Sequence, residues 1–364
     1  MLAAGGTGGH LFPALALAQE LGRRGIAVDL VTDMRGDRYG EDFPARAVYR
    51  VPSATLAGRS PAAAVAAAWL LVRGVAAAFR LLGEVRPGAL VGFGGYPSFP
   101  PLVAARLRKI PAALHEQNAV LGRANRLLAR HVTAIATSFE PTLHLEGPAR
   151  DRARLTGNPV RDLVIQCAAR DYEPPASEGP FSLLVFGGSQ GARFFSDVMP
   201  PALALLPPEM RARLFVVQQC REEDLARVEA AYRDCGIRSH LATFFANLPE
   251  EMAKAHLVIG RAGASTVAEL TAMGRPAILV PLPHAIDNDQ LQNARRLAES
   301  GGAWCIEQKE LTPERLASAL ARLLGSPEAL AQAAAAAKRQ GRPDAVVRLA
   351  DLVEELVGRG EKTA

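Results

Sequence analysis

Three glycine-rich segments of this sequence are of the kind that binds phosphate groups. They are "AGGTGGH" at 4–10, "GFGGYPS" at 92–98 and "FGGSQGA" at 186–192. Each follows a short apolar run and precedes a helical segment, so backbone N–H groups at a helix N-terminus would face an anion. One such loop is commonly only a tight turn between strand and helix. Three of them together predict a site for a phosphorylated ligand.

The first loop shows part of the dinucleotide-binding fingerprint, G-x-G-x-x-G. Aligning that pattern on Gly6 and Gly8 places Leu11 where the third glycine should stand, and a leucine there would spoil the close packing of helix on strand. Asp33, however, stands about 20 residues further on, where an NAD enzyme has its ribose-binding acid. An NAD-dependent dehydrogenase therefore stays open as an alternative.

Two segments in the second half carry polar groups suited to a nucleotide sugar. In "GRAGASTVAEL" (260–270), Glu269 could accept hydrogen bonds from both ribose hydroxyls, or it could merely face solvent or cap its helix with Ser265 or Thr266. "HAIDNDQLQNA" (284–294) gathers amides and carboxylates in one turn, which suits sugar hydroxyls. Its "DND" matches a metal-binding D-x-D pattern, but no second carboxylate cluster stands near it, so we predict a polar turn and no metal.

Two series of alternating strands and helices must position these groups. The pattern restarts after "TGNPVR" (156–161), which predicts an α/β fold of two Rossmann-like, doubly wound domains joined near Gly157 to Arg161. Thr312 followed by Pro313 predicts the N-terminus of a late helix. The predicted strands are apolar runs at 26–33, 88–95, 111–118, 132–138, 181–188, 213–219, 256–263 and 276–283.

The length and charge of the chain limit its partners. At 364 residues the chain exceeds the usual size of one core, so two domains are expected. Up to Leu155 it has 19 Lys and Arg against 11 Asp and Glu, whereas the remainder is slightly acidic. This excess indicates an anionic partner in the first half, either a phosphorylated substrate or an anionic membrane surface, unless it only reflects an arginine-rich composition. No nucleic-acid partner is predicted.

Seven motifs follow one another along the chain: "AGGTGGHLFPALALA", "GFGGYPSFPPLVAA", "LHEQNAVLGRANRLLA", "TGNPVR", "FGGSQGA", "GRAGASTVAEL" and "HAIDNDQLQNA". In this order they resemble the motifs of the MurG family of N-acetylglucosaminyltransferases. The resemblance runs from the first loop to about Ala294 and implies the GT-B architecture, two Rossmann-like domains facing each other across a cleft. It also implies inverting, metal- and cofactor-free transfer of N-acetylglucosamine (GlcNAc) from UDP-GlcNAc to the C4 hydroxyl of MurNAc in undecaprenyl-pyrophosphoryl-MurNAc-pentapeptide, a step of peptidoglycan synthesis.

The resemblance implies which residues bind the two substrates. Glu269 is assigned to the ribose, and Phe245 to the nucleotide by a looser alignment. The other donor-binding positions are Thr7, Gly8, Gly9, Asn118, Arg161, Ser189, Ala264, Ser265, Thr266, Val267, Ala268 and Gln290. The acceptor-side candidates are Gly94, Gly95, Tyr96 and Asn125.

The implied reaction needs a base and a stabilised leaving group. His10, at the end of the first loop, is the candidate base because an imidazole pKa of about 6.5 suits proton transfer at neutral pH. Glu116 is the competing candidate. Without a metal, the negative charge on UDP would be stabilised by the backbone N–H groups of the Ser189 loop and by Arg161.

The segment at 60–86, "SPAAAVAAAWLLVRGVAAAFRLLGEVR", combines an apolar helical face with Arg73, Arg80 and Arg86. It could lie on an anionic bilayer, as a lipid-linked acceptor requires, or it could pack in the core. No run of about 18 apolar residues and no signal peptide is seen, so we predict no membrane span. A peripheral location on the cytoplasmic face of the inner membrane is expected.

The predicted domains are 1–157, which binds the acceptor and the membrane, and 158–337, which binds the UDP-sugar. A C-terminal helix at about 338–364 is expected to pack back on the first domain. Two other UDP-sugar activities of this architecture stay open as alternatives, a UDP-GlcNAc 2-epimerase and a diacylglycerol glycosyltransferase. No particular cell-wall synthesis protein is predicted as a partner.

Overall fold

The computed structural model describes residues 1–5, 8–33, 43–54, 61–283 and 286–361. It divides the chain into two compact units. Unit 1 comprises Met1–Arg161 and Arg342–Ala364, and unit 2 comprises Asp162–Gly341. The chain therefore passes between the units at 161–162 and at 341–342, a few residues beyond the boundaries predicted from the sequence.

Unit 1 is built on a seven-stranded parallel sheet with the strand order β3-β2-β1-β4-β5-β6-β7. This order reverses direction between β1 and β4, as in doubly wound folds, and ligands of such folds bind at the carboxyl ends of the strands around that point. The strands are β1 Leu2–Ala3, β2 Asp29–Thr32, β3 Ala47–Arg50, β4 Leu90–Gly92, β5 Ala112–Glu116, β6 Ala134–Thr137 and β7 Ala153–Leu155.

Helices cover both faces of this sheet. Successive residues of one strand belong to opposite cores: Leu30 packs with Leu17, whereas Val31 packs with Leu82 and Leu102. Strands buried on both faces need continuous apolar sequence, which is why β2, β4 and β5 were readable as runs. The helices of this part of the chain are α1 Gly8–Arg23, α2 Pro61–Val85, α3 Gly95–Leu107 and α4 Arg123–Leu128.

Unit 2 repeats the plan with a six-stranded parallel sheet in the order β10-β9-β8-β11-β12-β13. Its strands are β8 Phe181–Phe186, β9 Leu214–Gln219, β10 Arg238–Ala242, β11 Leu257–Gly260, β12 Ala277–Leu279 and β13 Ala303–Cys305. Its helices are α5 Asp162–Ala168, α6 Gly188–Ala204, α7 Pro208–Arg213, α8 Leu225–Asp234, α9 Leu248–Lys254, α10 Ala264–Met273, α11 Asp289–Glu299, α12 Pro313–Leu324 and α13 Pro327–Gln340.

The last helix, α14 Ala345–Glu361, belongs to unit 1. Its Leu349 and Val353 join the core under α1, and Arg24 of the segment after α1 donates hydrogen bonds to Asp351 and Glu354. The predicted helix start at Thr312 is confirmed, because the Thr312 hydroxyl accepts a hydrogen bond from the Arg315 N–H at 3.2 Å.

The eight predicted apolar runs all contain strands, and the described residues add β1, β3, β7, β10 and β13, which the runs did not reveal. β3, β7 and β10 are half-exposed and include polar residues, and β13 has three residues. β3, β7, β10 and β13 are the outer strands of their sheets, so they need less apolar sequence than central strands.

Candidate active site

The imidazole of His10 lies where the first two glycine loops of unit 1 meet. α1 begins at Gly8, so Gly9 and His10 are in its first turn, and Thr7 lies outside the described residues. A Cβ atom on Gly95 would stand 3.3 Å from His10 Nε2, and one on Gly94 would stand 3.5 Å from His10 Cε1. Gly94 has a φ of 86° and Gly95 a φ of 67°, and only glycine adopts such positive values without strain. The loops therefore pack directly against the candidate base.

The other edge of the imidazole contacts Gln117, which the sequence analysis did not select. His10 Nδ1 lies 3.2 Å from Gln117 Oε1. Gln117 is 2% exposed, directly after β5, and its Nε2 lies 3.0 Å from the Phe93 carbonyl oxygen. A polar side chain just beyond the carboxyl end of a central strand is the signal that could have identified it.

Glu116, the competing base, is fully engaged by donors. Its Oε1 accepts from the Asn118 N–H at 3.0 Å and Nδ2 at 3.2 Å, and its Oε2 accepts from the Gly122 N–H at 2.9 Å and Asn125 Nδ2 at 2.7 Å. Burial raises the pKa of this carboxyl, and the four donors act in the opposite direction. Glu116 therefore organises the segment at 116–125 and has no oxygen left for a substrate proton.

The remaining unit 1 candidates surround these two groups. Asn118 is half-buried, Asn125 is 3% exposed, and Tyr96 is half-buried in the first turn of α3. Asn125 Nδ2 lies beside Gly94, and its Oδ1 is buried with no hydrogen-bond partner in the part of the chain that the structure describes. An unpaired buried carbonyl is costly unless a ligand or water donates to it.

Arg161, the residue before α5, lies in space against the first turns of α1. Its guanidinium carbon is 4.7 Å from the centre of the Phe12 ring, a cation–π distance, so the cation stands near the first glycine loop. Asn158, in the same motif, is 6% exposed, and neither of its side-chain polar atoms has a hydrogen-bond partner among the described residues. Asn158 is a second polar residue that the sequence analysis did not select.

In unit 2, the third glycine loop leads into α6. Gly188 has φ 65°, and its N–H donates to Gln219 Oε1 at 3.0 Å, which fixes the turn between β8 and the helix. Ser189 is the second residue of α6, and its side chain lies outside the described part of the structure. A 17-residue helix beginning at this loop places the positive end of its dipole there.

The donor positions around Glu269 lie on α10, whose N-cap is Gly263. The hydroxyl oxygen of Ser265 is buried and has no hydrogen-bond partner among the described residues. Glu269 is 6% exposed rather than solvent-facing. The other predicted positions fall in the first turns of the same helix: Ala264, Thr266 and Ala268 are half-buried, and Val267 is buried.

Two buried side chains hold this helix start in place. Arg261 donates to the carbonyls of Val280 and Pro281 at 3.1 and 3.2 Å, which ties the loop after β11 to the end of β12. Burial lowers the pKa of Arg261 to about 10. Asn293 of α11 is fully buried and donates to the Ala262 carbonyl at 3.1 Å.

The polar turn before α11 has an unusual backbone. Asp287 and Asn288 both have positive φ, 64° and 53°, a conformation that Asn and Asp tolerate better than other side chains. Gln290 Oε1 accepts from the Leu282 N–H at 3.0 Å, so this side chain connects α11 to the exit of β12. Among the described residues, no group of three or more His, Cys, Asp or Glu side chains is arranged to hold a metal ion.

The loosely aligned nucleotide position lies after β10. Phe245 is 8% exposed and packs edge-on against His240, with the ring centres 5.4 Å apart. Its neighbour Phe244 is 74% exposed and presents a free aromatic surface. In each unit, the predicted residues that the structure describes thus follow the carboxyl ends of parallel strands.

Comparisons with known proteins agree with this arrangement. The family model for the glycosyltransferase family 28 N-terminal domain matches residues 1–137, and the model for the C-terminal domain of that family matches residues 182–349. The crystal structure of Acinetobacter baumannii MurG is similar with a TM-score of 0.80 and 30% sequence identity, covering 98% of each chain. UDP-GlcNAc 2-epimerase from Neisseria meningitidis has a TM-score of 0.68 at 14% identity, which shows a shared fold alone.

Two curated relatives carry the name UDP-N-acetylglucosamine--N-acetylmuramyl-(pentapeptide) pyrophosphoryl-undecaprenol N-acetylglucosamine transferase. The protein from Methylobacterium nodulans is 56% identical over 98% of this chain and 96% of its own length. The protein from Mesorhizobium japonicum is 51% identical over 99% of this chain and 95% of its own length. Fold and site thus define a GT-B glycosyltransferase of family 28. Within that class, the chain belongs to the MurG family.

Proposed function

We propose that this protein transfers GlcNAc from UDP-GlcNAc to the C4 hydroxyl of MurNAc in undecaprenyl-pyrophosphoryl-MurNAc-pentapeptide, converting lipid I to lipid II. The observation that carries the proposal is identity of 56% and 51%, over nearly the whole chain, to relatives named for this transfer. The two groups of polar residues at the strand ends support it. Family membership leaves no support for the dehydrogenase alternative.

We assign the base to His10 rather than to Glu116. In the proposed step, the acceptor hydroxyl gives its proton to His10 while its oxygen attacks the anomeric carbon of GlcNAc. The bond from that carbon to the phosphate oxygen breaks, and its electron pair leaves with UDP. His10 supports this role because it is half-buried beside two glycine loops, whereas both oxygens of Glu116 are occupied by N–H donors.

We assign the donor to the groups on α6 and α10. The N-terminus of α6 supplies backbone N–H groups for the leaving pyrophosphate, and Arg161 supplies a cation. Glu269 accepts from the ribose hydroxyls, and the unpaired Ser265 hydroxyl supports a polar ligand at the start of α10. The exposed ring of Phe244 offers a stacking surface for the uracil ring of the donor.

The proposed reaction is tested by measuring UDP release from the purified protein. We expect release only when UDP-GlcNAc and a short-chain analogue of the lipid acceptor are both present, and we expect it to continue in the presence of a chelator. Release of UDP without the acceptor, or reduction of NAD, would contradict the proposal.

We also propose that α2 docks unit 1 on an anionic membrane surface. Val65, Trp69, Val72 and Phe79 form an apolar stripe at helical spacing, with exposures of 70, 65, 59 and 37%. By length and composition alone, α2 is also the one helix of the described residues that could cross a membrane, and 22% of its apolar window is buried.

Two features favour lying on the surface over crossing the bilayer. Leu71, Ala78 and Leu82 of the same helix are buried in the core of unit 1, so one side of α2 is committed to the sheet. Arg73 and Arg80 are exposed within the helix, where they can contact anionic headgroups. The alternative of a fully core-facing helix does not agree with these exposures.

Vesicle sedimentation tests this docking. We expect the protein to bind vesicles containing phosphatidylglycerol, and a Trp69→Glu, Val72→Glu variant to bind about tenfold or more weakly, because both charges would enter the apolar layer. Leu205→Glu, at a residue of unit 2 that is 55% exposed, is the matched control and should bind like the unchanged protein. Equal binding by the double variant would refute the assignment.

A further inference from the structure

We infer that Gln117 is a positioning residue that fixes the tautomer of His10, so that Nδ1 carries the proton and Nε2 presents the lone pair that accepts the acceptor's proton. The inference rests on the proposed function, since it gives the base its reactive atom. It follows from a series of hydrogen bonds in which some groups can only accept. The carbonyl oxygens of Phe93, His115 and Gly157 determine which atoms of Gln117, His115 and His10 donate.

The first step is the orientation of the Gln117 amide. Gln117 Nε2 lies 3.0 Å from the carbonyl oxygens of both Phe93 and His115. A carbonyl oxygen only accepts hydrogen bonds, so the end of the amide between these two oxygens must be the NH₂ group. A flipped amide would place its oxygen against two others in a site that is 2% exposed. Oε1 therefore faces His10.

The second step is the protonation of His115 behind Gln117. His115 Nε2 lies 3.0 Å from the Gly157 carbonyl oxygen, so this nitrogen carries the proton. The side chain is fully buried, and burial lowers the pKa of His115 to about 4, which keeps the ring neutral near pH 7. Its Nδ1 is then an acceptor, and it lies 2.9 Å from Gln117 Nε2. Because the NH₂ group has two hydrogens for three nearby acceptors, His115 Nδ1 shares one of them with a backbone carbonyl oxygen.

The third step is the effect on His10. Gln117 Oε1 can only accept, so the His10 Nδ1 at 3.2 Å must donate to it. In the neutral ring this leaves Nε2 bare, next to Gly95 at the start of α3. The same Nδ1–H bond persists after Nε2 takes the proton. Gln117 therefore fills the orienting role that a carboxylate fills in a Ser-His-Asp triad, but without its charge.

The inference is tested by ¹⁵N NMR of the full chain labelled at histidine, of which it has seven. We expect the His10 signals of the resting protein to show a protonated Nδ1 and an unprotonated Nε2. A neutral His10 that carries its single proton at Nε2 in the unchanged protein would overturn the inference. The signals are assigned by their loss in His10→Ala.

Two variants of Gln117 separate orientation from simple packing. Gln117→Met removes both polar groups at similar volume, so we expect Nε2–H to appear at His10 and kcat to fall about 10²-fold, with KM for UDP-GlcNAc little changed. In Gln117→Glu, the oxygen facing the Phe93 and His115 carbonyls must carry a proton, and the other oxygen still accepts from His10, so we expect the Nδ1–H tautomer to persist. Gln218→Met removes an amide of unit 2 that is equally buried, and should leave the His10 signals unchanged.

An unchanged His10 tautomer in Gln117→Met would refute the positioning role. The tautomer is read without turnover, so it is independent of the proposed activity. If His10→Ala retains full transfer, the assignment of His10 as the base fails while the tautomer result stands. If no transfer occurs in the unchanged protein, the proposed function itself fails.

Discussion

At the scale of residues, the site of unit 1 consists of buried polar groups whose partners define their roles. Glu116 and His10 are both ionisable groups in glycine-rich surroundings, and the sequence leaves them as competing bases. The structure separates them, because Glu116 accepts four hydrogen bonds from its own loop while His10 contacts one amide oxygen. Such hydrogen-bond sets depend on contacts far apart in the chain, so no local pattern could have revealed them.

The buried His115 predicts how stability changes with pH. Its pKa is lowered from 6.5 to about 4 in the folded protein, so between these values the unfolded chain binds more protons. His115 therefore does not reduce the free energy of unfolding above a pH of about 6.5, but that free energy decreases as the pH falls toward 4. A pKa shift of this size corresponds to a loss of about 3 kcal/mol in the free energy of unfolding once the pH is below both values.

Thermal unfolding of His115→Gln between pH 4 and 7 measures this contribution. We expect a smaller decrease in Tm with falling pH than in the unchanged protein. The exposed His131→Gln variant is the control and should keep the original dependence. Identical pH dependence in His115→Gln and the unchanged protein would count against a buried neutral His115.

At the scale of elements, the central strands and the loops after them were predictable. β5 and β11 are buried on every residue, so their apolar runs stand out in the sequence. The outer strands β3 and β10 are half-exposed and gave no such signal. Gln117 and Asn158 were missed although both stand in recognised motifs, because their importance comes from burial, which the motif does not display.

The helix start at Gly95 yields a prediction with a matched control. Gly95→Ala would strain a residue with φ 67° and place a methyl group 3.3 Å from His10 Nε2. Gly25→Ala would strain a residue with φ 74° that has open space around it. Both should lose about 1 kcal/mol of stability, but only Gly95→Ala should lower kcat, by about tenfold or more.

Urea unfolding and steady-state kinetics of the two variants check this expectation. A normal kcat in Gly95→Ala would mean that the glycine serves the backbone alone. A reduced kcat in Gly25→Ala would mean that strain remote from His10 lowers activity, and the contact with Nε2 would then explain nothing.

At the scale of the whole molecule, the two parallel sheets divide the proposed work. Unit 1 carries the candidate base, the acceptor-side glycines and the exposed stripe of α2, and it holds most of the basic excess of the sequence. Unit 2 carries α6 and α10, whose N-termini suit the nucleotide sugar. An acceptor anchored in a membrane and a donor dissolved in water favour such a division.

Analysis of the reaction product identifies the sugar transferred, its acceptor and the new linkage. After incubation with UDP-GlcNAc labelled in the sugar and a short-chain lipid I analogue, we expect the label in the lipid fraction, as one GlcNAc joined to the C4 hydroxyl of MurNAc with inverted anomeric configuration. Label recovered instead as free N-acetylmannosamine, or on diacylglycerol added in competition, would contradict GlcNAc transfer to lipid I.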